Sequence, residues 1–326
     1  MKRKLVRGFA ILFLILFAFT GCSTQGVAPG GGNSGGGNED PVDPPTPVLK
    51  LVFIHHSCGE NWLSDGNGDL GIALMNNNYF VSDTNYGWGT DGIGDTTDIG
   101  HWWTWFRGPK SNVYTAELFA ESGQNSWYSR LDDDPGGENQ VILFKSCYPN
   151  SDLKGNANAP VPAIGANPLR GQDCWSEAHT VANAKGIYLD LLNFFSQHTD
   201  KLFVAITAPP LQYSEFSANA RAFNNWLVND WLDGYPHDNV AVFDFYNVLT
   251  TNGGSANVND LDRETGNHHR VWQGVVQHKT DGDNDANPNV LEYPTGDDHP
   301  SRAGNLKATG EFVELLNLAV QVWLGE

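Results

Sequence analysis

The chain has little positive charge. Across 326 residues, 19 lysines and arginines stand against 38 aspartates and glutamates, a net charge of −19 at neutral pH. Such a surface repels nucleic acid and anionic lipid headgroups, which argues against both as partners. HExxH and CxxC spacings are absent, so the common zinc motifs are missing. Histidine pairs occur at His55–His56 and His268–His269, but neighbours on a strand point to opposite faces. Structural or ligand-supporting roles are expected for them. Internal repeats are lacking too, and after residue 48 no second linker interrupts the composition.

The N-terminal region does not read as part of a fold. Lys2, Arg3, Lys4 and Arg7 precede the uncharged apolar run Phe9–Phe19. Eleven residues are too few for a membrane span, and the pattern reads as an export signal over residues 1–21. Its removal takes four cations and no anions, which makes the remainder four charges more negative. Thr20-Gly21-Cys22-Ser23 resembles the lipobox of bacterial lipoproteins, which implies lipidation at Cys22 and a membrane anchor at the cell envelope. Residues 22–48 are rich in glycine, then proline, and read as a flexible, then stiffer, tether. Three cysteines follow, Cys58, Cys147 and Cys174. In an oxidising compartment they predict one disulfide and one free thiol, with all three pairings open.

Residues 49–326 read as one α/β domain. Buried strands are predicted over Lys50–His55, Tyr79–Ser82, Val141–Phe144, Leu202–Thr207 and Val240–Phe245, and helices over Leu70–Met75, His179–Phe195, Ala218–Leu232 and Ala303–Leu324. Asp83–Lys110 and Ser151–Asp173 are expected to be long loops. Short apolar strands alternating with helices predict a doubly wound parallel sheet covered on both faces. Ligands in such folds bind beyond the C-terminal strand ends, where Ser57, Ser146–Asn150 and Pro209 fall.

Two segments carry the parts for nucleophilic acyl transfer. The first strand leads into His55-His56-Ser57-Cys58-Gly59, and Gly296-Asp297-Asp298-His299-Pro300 precedes the last helix. A serine hydroxyl needs a base to take its proton, and that base needs an orienting acid. Ser57, His299 and Asp297 fit those roles, with Asp298 as second choice for the acid. Together with Glu121-Ser122-Gly123-Gln124-Asn125 and Lys145-Ser146-Cys147-Tyr148-Pro149-Asn150-Ser151, these blocks resemble, in order, those of the SGNH, or GDSL-like, hydrolases. The resemblance implies a flavodoxin-like strand order and ester hydrolysis through an acyl-enzyme. It also implies an oxyanion hole from the Ser57 amide, the Gly123 amide and the Asn150 side chain. The Gly-Asp-Ser-Leu wording is absent, and Gly296 stands where the family's aspartate is usual.

Asp281, Asp283, Asp285, Asn287, Asn289 and Glu292 have the spacing of a calcium-binding loop, although Ala286 replaces the usual glycine. A structural calcium is the expectation there, and catalysis needs no cofactor. Trp88, Trp102, Trp103, Trp105, Phe106 and Trp127 suggest a surface that stacks on sugars. The expected substrate is an O-acyl, chiefly O-acetyl, ester on a polysaccharide or a small molecule. The rivals are a lipase or thioesterase of the same fold and a non-catalytic carbohydrate-binding lipoprotein.

Overall fold

The structure is a computed structural model that describes residues 42–250, the strand backbones 269–272 and 275–278, and residues 289–326. The expected signal at 1–21, the first part of the tether with Cys22, and Asp281, Asp283, Asp285 and Asn287 of the acidic loop lie outside the described residues. So does His268.

Five strands form a parallel sheet: β1 (Leu49–Ile54), β2 (Tyr79–Thr84), β3 (Val141–Lys145), β4 (Leu202–Ile206) and β5 (Val240–Phe243). Their order is β2-β1-β3-β4-β5. All four pairings are parallel. Both faces are covered, which explains why the strands are nearly continuous apolar runs rather than alternating ones. The order reverses between β1 and β3, so the crevice at their C-terminal ends is the topological switch point. A separate antiparallel pair joins β6 (His269–Trp272) to β7 (Val275–His278).

The period of two along each strand divides the core. Val52, Ile54, Ile142 and Phe144 face one layer, with α3 (Ile99–Phe106), α4 (Ser111–Ala120), α5 (Val181–Phe195) and α6 (Ser217–Asn229). Leu51, Phe53, Val141 and Leu143 face the other, with α1 (Ser57–Leu63), α2 (Leu70–Asn76), α7 (Phe245–Thr250) and α8 (Arg302–Leu324). Helix α3 corrects the sequence expectation of a loop through residue 110, and α4 follows directly after it. Trp102, Trp105 and Phe106 are fully buried, so these members of the expected sugar platform are core, whereas Trp127 is exposed.

The second layer ties the two ends of the domain together. Trp62 of α1 is fully buried, stacks on Phe245 at 4.7 Å, and donates its indole N–H to the Thr309 hydroxyl of α8 at 2.9 Å. Thr309 in turn donates to the Gly68 carbonyl at 2.6 Å. Arg302 donates to the Gly66 carbonyl and Asn305 to Asn67, each at 3.0 Å. The α1–α2 connection is therefore bonded to the first turns of α8. Residues 42–45, at the end of the expected tether, meet the same side of the domain: Asn317 donates to Val42 O and Asn78 to Pro45 O, each at 3.1 Å.

Trp62→Ala should lower unfolding stability by about 3–5 kcal/mol, the usual loss for truncating a large buried aromatic. Urea denaturation followed by far-UV circular dichroism measures it, and a loss below about 1 kcal/mol would mean that Trp62 is no clamp.

Candidate active site

Strand β1 ends at Ile54, and two residues later the chain turns into α1 at Ser57. Ser57 has φ +33°, the left-handed region. For a residue with a Cβ this costs about 1–3 kcal/mol, and the surroundings must hold it in place. Gly59 makes the turn feasible. Its amide donates to the His56 carbonyl at 2.6 Å, and a Cβ at this position would collide with that of His55.

The Ser57 hydroxyl is hydrogen-bonded to Nε2 of His299. On the other side of the ring, Nδ1 lies 3.1 Å from Oδ1 of Asp297. An ionised carboxylate only accepts, so Nδ1 carries the proton and Nε2 is left to accept from the serine. The same Asp297 oxygen accepts from the Thr295 hydroxyl at 2.7 Å and from the His299 amide at 2.9 Å. Chiefly through Thr295, then through the His299 amide, these bonds hold the Asp297 carboxyl down at about 2. Its side chain is 65% exposed, whereas that of His299 is 23% exposed. Asp298 points elsewhere and accepts from the Gln212 amide at 2.8 Å. The ring edge of Tyr148 packs on His299 with centroids 5.0 Å apart.

Behind the serine lies a buried polar network. His55 Nε2 donates to Asp83 Oδ2 at 3.1 Å, with both side chains fully buried. Asp83 Oδ1 accepts from the Asn125 amide at 2.6 Å and from the Tyr128 hydroxyl at 3.0 Å. Burial pushes the Asp83 carboxyl upward, but the His55 hydrogen bond and charge, with the further donors, outweigh it and hold it below the usual range. His56 donates from Nε2 to the Gly94 carbonyl and accepts at Nδ1 from Thr97 at 3.0 Å. Its burial lowers its basicity, and Tyr86 stacks on it at 3.9 Å. Both histidines therefore support the strand end, as expected from the sequence.

The other two expected oxyanion donors are already committed. The Gly123 amide donates to Oε1 of Glu121. Asn150 is buried, donates to Asp98 Oδ1 at 2.6 Å and accepts from the Ile99 amide at 2.8 Å. The Ser57 amide opens α1, where first-turn amides have no intrahelical carbonyl to bond.

Cys58, Cys147 and Cys174 are free thiols, which corrects the expectation of one disulfide. The Cys58 and Cys147 sulfurs share a hydrogen bond at 3.3 Å, well beyond the roughly 2.05 Å of a covalent S–S bond. Burial, then the bond to Cys147, raises the Cys58 thiol, whereas the Cys58 hydrogen bond and then the Lys145 charge lower that of Cys147. Lys145 is fully buried and donates to the Ser146 carbonyl at 3.1 Å. The sequence did not reveal this group. Its signal was present in Cys58 next to the serine and Cys147 at the end of β3, but joining them requires the adjacency of β1 and β3.

Among the expected calcium ligands, Asn289 and Glu292 are described. The Asn289 side-chain oxygen accepts from Arg221 Nε at 3.0 Å, and the Glu292 amide donates to the Leu249 carbonyl at 2.9 Å.

The depressed Asp83 carboxyl predicts a pH effect. Its stabilisation is complete above the unfolded-state value of about 3.9 and drains away as pH falls through the lower folded-state value. Thermal melts of wild type should therefore weaken below about pH 4. Asp83→Asn should be less stable at neutral pH and show a shallower acid decline; an equal decline in both proteins would assign the effect to other groups.

No family model matches the chain, and no curated protein matches it. Among solved structures, it aligns with that of a family two carbohydrate esterase from Clostridium thermocellum in complex with cellohexaose. The identity is 12% and the TM-score 0.36, over 86% of this chain and 66% of that one. Another solved structure aligns at 14% identity and a TM-score of 0.32, over 82% of this chain and 94% of its own. Likenesses at this level carry nothing about the activity of this chain.

Proposed function

We propose that this protein is a serine esterase of the SGNH or GDSL-like type that removes an acyl group, chiefly acetyl, from an oxygen of its substrate. The observation that carries the reading is the imidazole of His299, hydrogen-bonded through one nitrogen to the Ser57 hydroxyl and through the other to Asp297. In this mechanism Ser57 Oγ attacks the ester carbonyl and gives its proton to His299 Nε2. The carbonyl carbon gains the Oγ bond, and its oxygen takes the negative charge. Collapse expels the alcohol, which leaves with the proton from His299. Water then attacks the acyl-enzyme by the same route and releases the carboxylic acid and free Ser57. Asp297 accepts from Nδ1 throughout and stabilises the imidazolium.

The Ser57 amide is the first oxyanion donor in this reading. Gly123 and Asn150 would join it by exchanging their carboxylate partners as substrate enters, since hydrogen bonds in a free site often tighten only in the complex.

A polysaccharide substrate is supported by exposed aromatics other than the buried tryptophans. Trp127 is 75% exposed and Tyr213 82%. Trp127 follows Ser126, whose hydroxyl accepts from Asn85 beside Tyr86, and Tyr213 follows the Gln212 amide that holds Asp298. Both positions flank the serine and histidine segments, where rings can stack on sugar faces. Lipidation at Cys22 and attachment at the cell envelope belong to the same proposal.

Ser57→Ala should abolish hydrolysis of nitrophenyl acetate while the far-UV spectrum and melting temperature stay close to wild type. Unchanged turnover would reject the assignment. Trp127→Ala should raise KM for an acetylated glycan and leave nitrophenyl acetate kinetics unaltered; equal effects on both substrates would remove the sugar-stacking role.

A further inference from the structure

We propose that Cys58, Cys147 and one ring nitrogen of His299 form a binding site for a soft divalent cation of the zinc and cadmium class, directly beside Ser57. Three segments distant in sequence bring one donor each: the first turn of α1, the residues after β3, and the residues before α8. The donor atoms all lie within 4.8 Å of one another, and the two sulfurs are 3.3 Å apart. Zinc–sulfur bonds of about 2.3 Å set a tetrahedral edge of about 3.8 Å. The sulfurs therefore separate slightly and the imidazole draws in, movements within the reach of side-chain rotation.

The chemistry of the donors selects the ion. Two thiolates and an imidazole favour zinc or cadmium over calcium or magnesium, which prefer oxygen. Two cysteines and one histidine with an open fourth position form a known ligand set for zinc. Water can occupy the fourth position. Binding is a ligand exchange without electron transfer: bonds from the hydrated cation to its water ligands break, two metal–sulfur bonds and one metal–nitrogen bond form, and the released water and any thiol protons pass to solvent. The Lys145 ammonium lies near both sulfurs and offsets part of the thiolate charge.

The site has a consequence for the esterase, and this part rests on the proposed function. Nε2 of His299 holds Ser57 and Nδ1 holds Asp297, so no ring nitrogen is spare. A cation that takes either one breaks the chain from carboxylate to hydroxyl. Zinc should therefore act as a reversible inhibitor, and a chelator should restore activity.

Cadmium titration of the reduced, metal-free full chain tests the site through the thiolate-to-cadmium charge-transfer absorption, which does not depend on catalysis. Wild type should bind one equivalent with a thiolate band. Cys147→Ser should lose the band, and because Cys58 is buried this half-buried position carries the test without a Cys58 variant. His299→Ala should keep a thiolate signal but bind about tenfold or more weakly, at least the loss typical of disturbing a metal site's supporting residues. Ser57→Ala should bind as wild type does. No band in reduced wild type, or affinity unmoved by either Cys147→Ser or His299→Ala, would overturn the site. If Ser57→Ala bound cadmium normally yet retained ester turnover, the esterase reading would fall while the metal site stood.

Discussion

The contact between the Ser57 hydroxyl and the His299 imidazole joins residues 242 positions apart, and the rest of the arrangement depends on it. Each partner is oriented within its own segment. Ser57 sits in a left-handed backbone conformation, which the adjoining turn and the close approach of Gly59 to His55 sustain. His299 is placed by its bonds to Asp297 and by the start of α8. The two segments meet because α1 and its following turn are pinned to α8 through Trp62, Gly66, Asn67 and Gly68. Packing on one face of the sheet thus determines the geometry at its C-terminal edge.

The electrostatics of that edge fall into two zones. On the solvent side, Asp297 is largely exposed and its charge is held by local hydrogen bonds from Thr295 and His299. On the interior side, His55 and Asp83 form a fully buried pair, and Lys145 sits near two thiols. A buried carboxylate is a strong constraint on geometry when every oxygen is bonded. Asp83 meets that condition through Asn125 and Tyr128. It thereby ties the segment containing Gly123 to the strand end that carries the serine.

Much of this was legible in the sequence because its signals are local. The strand cores at Leu51–Ile54, Val141–Phe144 and Leu202–Ile206 are apolar runs bounded by turn residues, and the order of the blocks placed Ser57 and His299 at the right ends. The errors share one physical cause, since burial on a helix face depends on neighbours. Trp102, Trp105 and Phe106 repeat at helical spacing, yet in a stretch crowded with glycine and aspartate they resembled an exposed loop. Helix α4 has little amphipathic contrast and gave no periodic signal. The hydrogen bond from Asn150 to Asp98 was not legible either, because the partners are 52 residues apart. The thiol pair became visible only once β3 was placed next to β1.

A fluorophosphonate probe, which reacts only with an activated serine hydroxyl, tests the coupling of Ser57 to His299 most directly. Peptide mass spectrometry of the labelled full chain should place the adduct on Ser57 alone, and His299→Ala should lose the labelling while remaining folded. Absence of an adduct, an adduct on a different serine, or undiminished labelling of the His299 variant would contradict it.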